Sequence, residues 1–232
     1  MTTILHIDSS ARPGSSASQA HGSHTRRLGA RFLQRYRQHD SAIEVIYRDV
    51  GAQPPAPVSA DWVHAAFTAP AQRAPWMQAA LAQSDQLVDE LLRADIIVAC
   101  VPMYNFGPPA AFKAWIDNIV RVGRTFGFDR TRPGEPYWPL LADAGKQLVI
   151  LSARGDHGYE PGQRLAASNH VEASVRSVFR YLGVTDTYGA AIEYDEFADQ
   201  RLARSIEDAE RATDAIADAI AAGRRSATRR LA

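Results

Sequence analysis

Short apolar segments alternate along this chain with longer stretches in which apolar residues recur at helical spacing. The alternation predicts βαβ units, in which helices cover both faces of a parallel sheet. Residues 96–101 read Ile-Ile-Val-Ala-Cys-Val without a polar interruption, which is typical of a central strand buried on both sides. The chain is therefore predicted to be an α/β protein.

The boundaries of these segments predict a particular sheet. The predicted strands cover residues 4–7, 43–50, 96–101, 146–151 and 185–194, and the predicted helices cover residues 26–38, 75–93, a segment from residue 110, 171–182 and 199–222. Residues 51–75 hold five of the 13 prolines and are interpreted as an irregular excursion, and residues 125–145 as a long loop. Five strands with intervening helices predict a flavodoxin-like, doubly wound five-stranded parallel sheet in the order 2-1-3-4-5, with helices on both faces. We expect one domain over residues 1–222, followed by a basic tail at residues 223–232.

The charge balance and the cysteine content indicate which partners and which cellular compartment to expect. The 232 residues contain 26 Lys and Arg against 26 Asp and Glu, so the formal net charge is zero. This balance removes the simplest electrostatic case for binding nucleic acid or an anionic membrane, and we expect neither partner. The longest apolar run is far shorter than the roughly 18 residues that a membrane span requires. The single cysteine cannot form an internal disulfide and the first residues lack a signal-peptide pattern, so we expect a cytoplasmic protein.

Ligands of open α/β sheets bind beyond the carboxyl ends of the strands, beside the point where the strand order reverses. We therefore expect the loops after the first, third and fourth strands to form the site.

Residues 102–109 combine aromatics and prolines, and they suit a planar conjugated ring; the alternative is an ordinary turn that completes the core. Residues 152–159 carry small residues where backbone can approach a ligand. His157 in that loop could act as an acid or base, although a solvated histidine is the simpler interpretation.

The first loop carries the polar residues of the predicted site. Ser9 and Ser10 follow the strand, and Ser23, His24 and Thr25 open the next helix. Hydroxyls beside the free N–H groups of a helix N-terminus form an anion site, so a phosphate fits here. The alternative is that Ser23 or Thr25 only caps the helix. The sequence contains neither G-x-x-x-x-G-K-[ST] nor G-x-G-x-x-G, which excludes a P-loop and a dinucleotide-binding fingerprint.

Histidine and cysteine give no predicted metal site or nucleophile. His21 and His24 lie three residues apart, but no Cys or carboxylate stands near them in the sequence. Cys100 lies inside an apolar strand and is predicted to be an inert core residue. No ordered set of Ser, His and Asp indicates a hydrolase.

Several motifs together resemble one known family. They are Ser-Ser after the first strand, Ser-x-Thr before a helix, Pro-Met-Tyr-Asn-Phe at residues 102–106 with a following Ala-Phe-Lys-Ala-Trp-Ile-Asp, Val-Gly-Arg-Thr-Phe at residues 122–126, and Ala-Arg-Gly at residues 153–155. The set is similar to that of the FMN-dependent NADH azoreductases, also described as FMN-dependent NADH:quinone oxidoreductases, within the flavodoxin-like superfamily. The resemblance runs from about residue 4 to about residue 194, and residues 102–106 are its most specific element.

The resemblance implies which residues bind FMN. It assigns the phosphate to Ser10 and the turn of Ser23, His24 and Thr25. It assigns the ring system and ribityl chain to Pro102, Met103, Tyr104, Asn105, Phe106, Ala153, Arg154, Gly155 and Asp156. It assigns acceptor contacts to Phe106, Phe126, Phe128 and Tyr181.

Two departures from the family pattern leave questions open. The first loop is longer than usual, so Ser16 and Ser18 offer a second candidate for the phosphate turn. Asp156 stands where the best-known members have Gly. Its charge would oppose a reduced anionic flavin unless the carboxylate points outward or bonds a backbone amide.

The activity implied by the resemblance is transfer of two electrons from NADH or NADPH, through FMN, to a quinone or azo compound by a ping-pong mechanism. No catalytic side chain is required, because the isoalloxazine carries the redox chemistry. A homodimer is implied, with the helix at residues 171–182 beside the flavin and Tyr181 reaching across, unless Tyr181 is a core residue. The alternative function is a flavodoxin-like FMN electron carrier without a dedicated nicotinamide site.

Overall fold

The computed structural model describes residues 1–231, and the side chains of residues 1–224. In that part of the chain, five parallel strands form the central sheet, and two short strands form a separate antiparallel hairpin. The strands are β1 (Thr3–Asp8), β2 (Glu44–Asp49), β3 (Ile96–Pro102), β4 (Phe126–Phe128), β5 (Tyr137–Pro139), β6 (Gln147–Ala153) and β7 (Asp186–Ile192). The sheet order is β2-β1-β3-β6-β7, which confirms the predicted 2-1-3-4-5 arrangement, because β4 and β5 lie outside the sheet.

Helices cover both faces of this sheet, as predicted. They are α1 (His24–His39), α2 (Ala60–Phe67), α3 (Pro75–Arg93), α4 (Ala110–Ile119), α5 (His170–Leu182) and α6 (Gln200–Leu231). On one face, α1 and α6 bury Phe32 and Ile220 in a common hydrophobic cluster. On the other face, α3, α4 and α5 contribute Leu91, Trp115 and Phe179 to a second cluster. Among the described residues, no helix is both long and apolar enough to cross a membrane.

β1 contributes to both clusters because successive side chains of a strand point to opposite faces. Ile4 packs in the α1–α6 cluster, and Leu5 packs in the opposite one. β1 runs parallel to β3 with Asp8 opposite Cys100. His6, Asp8 and Cys100 therefore share the face that α1 covers.

Residues 51–75 are not irregular throughout, and this part of the sequence prediction was wrong. Residues 60–67 form α2, whose N-cap Ser59 accepts a hydrogen bond from the Trp62 N–H at 3.1 Å. Ala65 and Ala66 of this helix bury against Met77 of α3. The prolines lie before and after α2, where they do not remove a hydrogen bond from its turns.

Residues 125–145 also contain regular structure that the sequence did not indicate. β4 and β5 pair antiparallel with Gly127 opposite Trp138. A Cβ on Gly127 would lie 2.0 Å from Trp138 Cε2, so glycine is required where the indole crosses the partner strand. The hairpin is short because each strand has only three residues.

The C-terminal helix α6 is longer than predicted. It runs from Gln200 to Leu231, across the predicted boundary between residues 222 and 223. Arg224 pairs with Asp95 at 2.8 Å, whereas the other side chains of the predicted basic tail lie outside the described residues. The division into a domain of residues 1–222 and a tail stays a prediction.

Candidate functional site

A cavity of about 310 Å³ lies at the carboxyl ends of β1, β3 and β6, where an open parallel sheet binds its ligand. Its lining comes from the loops after these strands and from the segment after β7. The lining residues are Ser10, Arg12, Ser23, His24, Thr25, Pro102, Met103, Tyr104, Asn105, Ala153, Arg154, Gly155, Asp195 and Glu196. All three loops that the sequence analysis selected therefore meet in one pocket.

The pocket wall next to the start of α1 consists of buried hydroxyls. Ser10, Ser23 and Thr25 are 3%, 2% and 0% exposed, and Ser23 Oγ lies 3.0 Å from Thr25 Oγ1. Ser23 is the N-cap of α1, and its Oγ accepts a hydrogen bond from the Arg26 N–H at 3.3 Å. The N–H groups of His24 and Thr25 belong to the first turn, where helix amides have no intrahelical partner. This wall offers hydroxyl and amide donors at the positive end of the helix dipole.

Arg26 fixes the backbone of the loop between β1 and α1. Its guanidinium donates to the carbonyl oxygens of Ser10 at 3.0 Å and Arg12 at 3.1 Å. It also pairs with Asp8 at 3.0 Å and with Asp49 at 2.7 Å. Without these hydrogen bonds, the partial negative charge of the two loop carbonyls would repel an anion in the pocket.

A chain of contacts joins the segment after β7 to the hydroxyl wall. Asp195 lies 3.0 Å from His24 Nε2 and 3.0 Å from Arg12 Nη1, and His24 Nδ1 lies 2.9 Å from Ser16 Oγ. The hydrogen bond from His24 lowers the pKa of Asp195, and the nearby Arg12 acts in the same direction. His24 therefore has a carboxylate neighbour that its sequence surroundings did not reveal.

Three lining residues were missed by the sequence analysis. Arg12 lies in the first of the selected loops, and its positive charge could have indicated a contact with an anionic ligand. Asp195 and Glu196 follow β7, which is the fifth predicted strand. We selected only the loops after the first, third and fourth strands, so these two residues were left out. Their signal was the run Glu-Tyr-Asp-Glu at residues 193–196, directly after a strand.

The two candidate phosphate turns lie in different surroundings. Ser23 and Thr25 line the pocket. Ser16 contacts the ring of His24, and Ser18 is exposed, with its Oγ donating to the Ser15 carbonyl at 3.3 Å. The geometry favours Ser23 and Thr25, and the binding of phosphate there stays a prediction.

The loop after β3 makes a tight turn with left-handed backbone at its centre. Tyr104 and Gly107 exchange backbone hydrogen bonds at 2.8 and 3.1 Å. Between them, Asn105 and Phe106 have φ angles of 48° and 70°, the signs of a type I′ turn, which Asn tolerates better than a bulky aromatic residue. The His170 N–H at the start of α5 donates to the Phe106 carbonyl at 3.0 Å and so helps to hold this conformation.

The same turn is tied to the other two loops. The Ala11 N–H donates to the Tyr104 hydroxyl at 3.1 Å, and the Met103 N–H donates to the Ala153 carbonyl at 2.8 Å. The Phe106 side chain is 52% exposed and is not part of the pocket lining. Its contact with a cofactor or acceptor stays a prediction.

Arg154 is buried, and its guanidinium is engaged by carboxylates of the protein. It lies 2.7 Å from Glu160, 3.0 Å from Glu172 and 3.2 Å from Glu193. Its Cζ also lies 5.2 Å from the centre of the Tyr159 ring. The side chain thus ties the third loop to α5 and to the segment after β7, and its contact with the flavin edge stays a prediction.

Gly155 lines the pocket, and Asp156 fits the alternative in which its carboxylate bonds a backbone amide; contact of either residue with FMN stays a prediction. A Cβ on Gly155 would lie 2.3 Å from Glu196 Oε1, so the missing side chain makes room for a neighbour within the protein. Asp156 is not part of the pocket lining. Its carboxylate accepts hydrogen bonds from Arg164 at 2.7 and 2.6 Å and from the His157 N–H at 2.8 Å, and the bond from Arg164 lowers its pKa. The charge that departs from the family pattern is therefore paired outside the lining.

Three of the predicted acceptor residues, Phe126, Phe128 and Tyr181, cluster around Tyr137 and are not part of the pocket lining. Phe126 and Tyr181 have ring centres 5.3 Å apart, and Phe128 and Tyr137 have ring centres 4.8 Å apart. Phe126 is 6% exposed and belongs to the core, whereas Tyr181 is 40% exposed. Phe128 is partly exposed, and the acceptor role of Phe106, Phe126, Phe128 and Tyr181 stays a prediction.

Two other residues that the sequence analysis weighed have clear surroundings. Burial raises the pKa of the Cys100 thiol well above its usual value, which agrees with a core residue that does not act as a nucleophile. His157 stacks on Tyr194 with ring centres 4.5 Å apart, and neither ring is part of the pocket lining.

Comparison with known proteins first defines a class. A family model described as flavodoxin-like fold matches residues 2–217. An azoreductase from Bacillus anthracis str. Sterne has a TM-score of 0.79 to this structure at 24% identity, with 94% of this chain and 99% of that chain covered. The fold is flavodoxin-like, as predicted.

Sequence relatives then define the family. FMN-dependent NADH:quinone oxidoreductase 2 of Idiomarina loihiensis is 42% identical over 94% of this chain and 90% of its own length. FMN-dependent NAD(P)H:quinone oxidoreductase 1 of Pseudomonas aeruginosa is 39% identical over 94% of this chain and 99% of its own. This chain belongs to the FMN-dependent NADH:quinone oxidoreductase family of the flavodoxin-like fold. The resemblance drawn from the motifs is confirmed.

Proposed function

We propose that this protein is an FMN-dependent oxidoreductase that transfers two electrons from NADH or NADPH to a quinone or azo compound by a ping-pong mechanism. One observation carries the proposal: a wall of buried hydroxyls and helix amides meets an aromatic, Pro-stiffened turn in a single pocket. The names of the relatives support the cofactor and the reaction class.

The donor chemistry of the pocket fits the two ends of FMN. A phosphate dianion has only acceptor oxygens, and the hydroxyls of Ser10, Ser23 and Thr25 can all donate to it. Arg12 adds a cation beside the pocket and pairs there with Asp195 at 3.0 Å. The residues from Pro102 onward supply apolar and aromatic surface at the other end, which suits the ring system.

The protein's own residues would bind and orient the reactants, and FMN, when bound, would supply the two-electron chemistry between NAD(P)H and the acceptor. The hydroxyl wall fixes the phosphate end of the cofactor. The turn at residues 104–107 and the loop held by Arg154 fix the surface on which the ring rests. No side chain of the pocket is required as nucleophile or general base. Donor and acceptor occupy the same pocket in turn, which is the basis of the ping-pong order.

The proposal includes a homodimer formed by the domain of residues 1–222. Hydride transfer requires water to be excluded from the open side of the pocket, and a partner chain that places α5 beside the flavin would supply that wall. The acceptor would then meet Phe106, Phe128 and Tyr181, with Phe126 beneath them. The cytoplasm is the proposed compartment, because the free, buried thiol of Cys100 fits a reducing environment.

Absorbance of the purified protein tests this function. After reconstitution with FMN, we expect a bound yellow chromophore that NADH or NADPH bleaches without oxygen and that a quinone then restores. Initial rates at varied donor and acceptor concentrations should give parallel double-reciprocal lines. Bound FMN that dithionite bleaches but neither nicotinamide does would favour the electron carrier, and failure to bind FMN would overturn the proposal.

A further inference from the structure

A second polar cluster lies beneath α1, apart from the pocket. His6 and Asp8 are two residues apart on β1, and Cys100 is the register partner of Asp8 on β3. The three side chains share one face of the sheet and are buried, at 5%, 4% and 0% exposure. Three residue types that ligate metals therefore converge in a part of the core that otherwise holds apolar side chains.

Two separations within the cluster are close to those of ligands around one ion. His6 Nε2 lies 3.2 Å from Asp8 Oδ1 and 3.4 Å from Cys100 Sγ, and the three potential ligand atoms all lie within 4.8 Å of one another. In a tetrahedral zinc site with bonds of about 2.0–2.3 Å, neighbouring ligand atoms are about 3.3–3.6 Å apart. The two measured separations are close to that range.

Contacts outside the cluster hold Asp8 in the orientation of a ligand. Its Oδ2 accepts hydrogen bonds from the Tyr47 hydroxyl at 2.8 Å and from Arg26 Nη1 at 3.0 Å, which leaves Oδ1 for the cluster. Hydrogen bonds to the second oxygen of a ligating carboxylate are typical of metal sites. Asp49 pairs with Arg26 at 2.7 and 2.8 Å, so the charge of Arg26 is balanced outside the cluster. A thiolate at Cys100 and the carboxylate of Asp8 would neutralise a divalent ion.

Gly29 of α1 packs directly against the cluster. A Cβ at this position would lie 2.5 Å from Cys100 Sγ and 2.6 Å from His6 Nε2. Glycine is unfavourable inside a helix, yet here it is required because any side chain would overlap two of the three ligand atoms.

We propose that His6, Asp8 and Cys100 form a binding site for a borderline-soft divalent cation of the Zn²⁺ type. Imidazole, thiolate and carboxylate together are a donor set that suits this class of ion, and three protein ligands leave one position for water. The bound ion would link β1 to β3, two residues before Ser10 of the pocket lining. This site is separate from the proposed electron transfer and does not depend on it.

Zinc titration of the full-length, tag-free protein tests the site. The protein is first stripped with a chelator and desalted, and zinc is then added. We expect elemental analysis to find one bound zinc ion per chain, and calorimetry measures the affinity. Cys100→Ser and His6→Asn should each weaken that affinity by more than tenfold. The matched control His21→Ala removes an exposed histidine outside the cluster and should leave the affinity unchanged. Circular dichroism of each variant reports whether it has folded.

Two further measurements test the site without relying on the Cys100 and His6 variants, which could fail to fold because they alter the core. X-ray absorption at the zinc edge of the unaltered protein should show one sulfur at about 2.3 Å and lighter N or O atoms at about 2.0–2.1 Å. Tyr47→Phe, which removes one hydrogen bond to Asp8, should weaken zinc about 10- to 100-fold. No bound zinc, or bound zinc without sulfur in its coordination shell, would show a hydrogen-bonded triad and overturn the proposal, whatever the flavin chemistry of the protein.

Discussion

Ser23 is the N-cap of α1 and also a proposed phosphate ligand, and only the proposed role involves the neighbouring hydroxyl of Thr25. As an N-cap it needs only its own Oγ, which accepts from the Arg26 N–H at 3.3 Å. The buried hydroxyl of Thr25, 3.0 Å from Ser23 Oγ, is not required for a cap. Paired hydroxyls beside the first helix amides are what a phosphate uses, so these two residues test the phosphate position.

Replacing Ser23 and Thr25 together by Ala should weaken FMN binding by at least about 1–3 kcal/mol, because hydrogen bonds to charged groups contribute about 1.5–3 kcal/mol each. Riboflavin lacks the phosphate, so its affinity should barely change. Fluorescence titration with each flavin measures the difference. The matched control replaces Ser16 and Ser18, which lie in the same loop but outside the pocket lining. A larger loss of FMN affinity in that control would move the phosphate to residues 16–18.

The left-handed backbone at Phe106 gives a second prediction at the scale of single residues. Phe106→Gly and Phe106→Ala both remove the ring, so their difference isolates the backbone at φ 70°. An L-residue in the left-handed conformation costs roughly 1–2 kcal/mol, which the Gly variant avoids. The greater freedom of Gly in the unfolded chain offsets part of this gain. The Gly variant should therefore have the higher free energy of unfolding, by about 0.5–1 kcal/mol. Urea denaturation measures the difference.

The control for this comparison lies in an ordinary helix. Ala82 is an exposed residue of α3, and Ala82→Gly should lower the free energy of unfolding by about 1 kcal/mol, the opposite sign. If the two Phe106 variants proved equally stable, the turn would be free to leave the left-handed region, and the strain assigned to it would be absent.

The sequence predicted which loops meet at the pocket but not the direction of their charged side chains. Residues 102–105 form a local motif, so their position followed from the strand before them. Arg154 is different, because its partners Glu172 and Glu193 lie on α5 and directly after β7. Such pairings depend on tertiary structure and leave no pattern in the local sequence.

At the scale of elements, ion pairs at helical spacing join α1 to α6. The pairs are Arg27 with Glu210 at 2.7 Å, Arg31 with Asp214 at 2.6 Å, and Arg35 with Asp218 at 2.7 Å. A four-residue step keeps side chains on one face of a helix, so the two rows face each other along the helix pair. The hydrogen bond from Arg35, and then that from His39, hold the pKa of Asp218 well below its usual value of 3.8.

Acidification should therefore weaken the contact between α1 and α6. A carboxyl group whose pKa is lower in the folded state stabilises the fold above its unfolded pKa, and that stability is lost as the pH falls toward the folded pKa. Between about pH 5 and about pH 3, the wild type should lose more free energy of unfolding than Asp218→Asn. Asp218 is partly exposed, so the difference should be only about 0.2–1 kcal/mol.

Urea denaturation at several pH values measures this difference. The matched control is Glu207→Gln, which neutralises an exposed acid of the same helix outside the ion-pair rows. Equal pH dependence of the wild type and Asp218→Asn would contradict the assigned role. The difference should also shrink at high salt, because screening weakens partly exposed pairs.

Comparison of α3 with α2 shows why some elements were predictable from the sequence and others were not. The bounds predicted for α3, residues 75–93, match the structure, because Pro75 suits the first turn and large apolar residues recur at helical spacing. α2 has only eight residues, and its fully buried residues are Ala65 and Ala66. Small buried residues give little contrast between faces, and the prolines on either side favoured a loop.

At the scale of the whole molecule, two sets of exposed apolar side chains stand out among the described residues. One group is Val63, Phe67 and Trp76, at 46%, 63% and 44% exposure. The other is Tyr137, Leu140 and Tyr181, at 45%, 42% and 40% exposure. Grouped exposed apolar residues are typical of interaction surfaces, and the commonest symmetric assembly of soluble proteins is a C2 dimer. The second group lies on α5 and the β4–β5 region, where the resemblance places the partner.

Tyr181 offers the most direct test of this dimer. Its ring lies 5.3 Å from Phe126 and 6.3 Å from Tyr137, so the side chain is supported from below while 40% of its surface remains exposed. Tyr181→Asp would place an unpaired carboxylate in the interface, and we expect dimer dissociation to become at least about tenfold easier, or about 1.4 kcal/mol. Glu207→Arg, a charge change on the exposed face of α6, is the matched control and should leave the dimer intact.

Sedimentation across a dilution series, read together with NADH-quinone activity on the same samples, measures both consequences. The wild type should sediment as a dimer, and its specific activity should fall as dilution separates the chains, because the wall that excludes water leaves with the partner. Tyr181→Asp should show the same fall at higher protein concentration. FMN affinity should change much less, since the hydroxyl wall and the turn at residues 104–107 come from one chain. A monomer that keeps full specific activity at the lowest concentration would show that one chain completes the pocket and that the shared site is wrong.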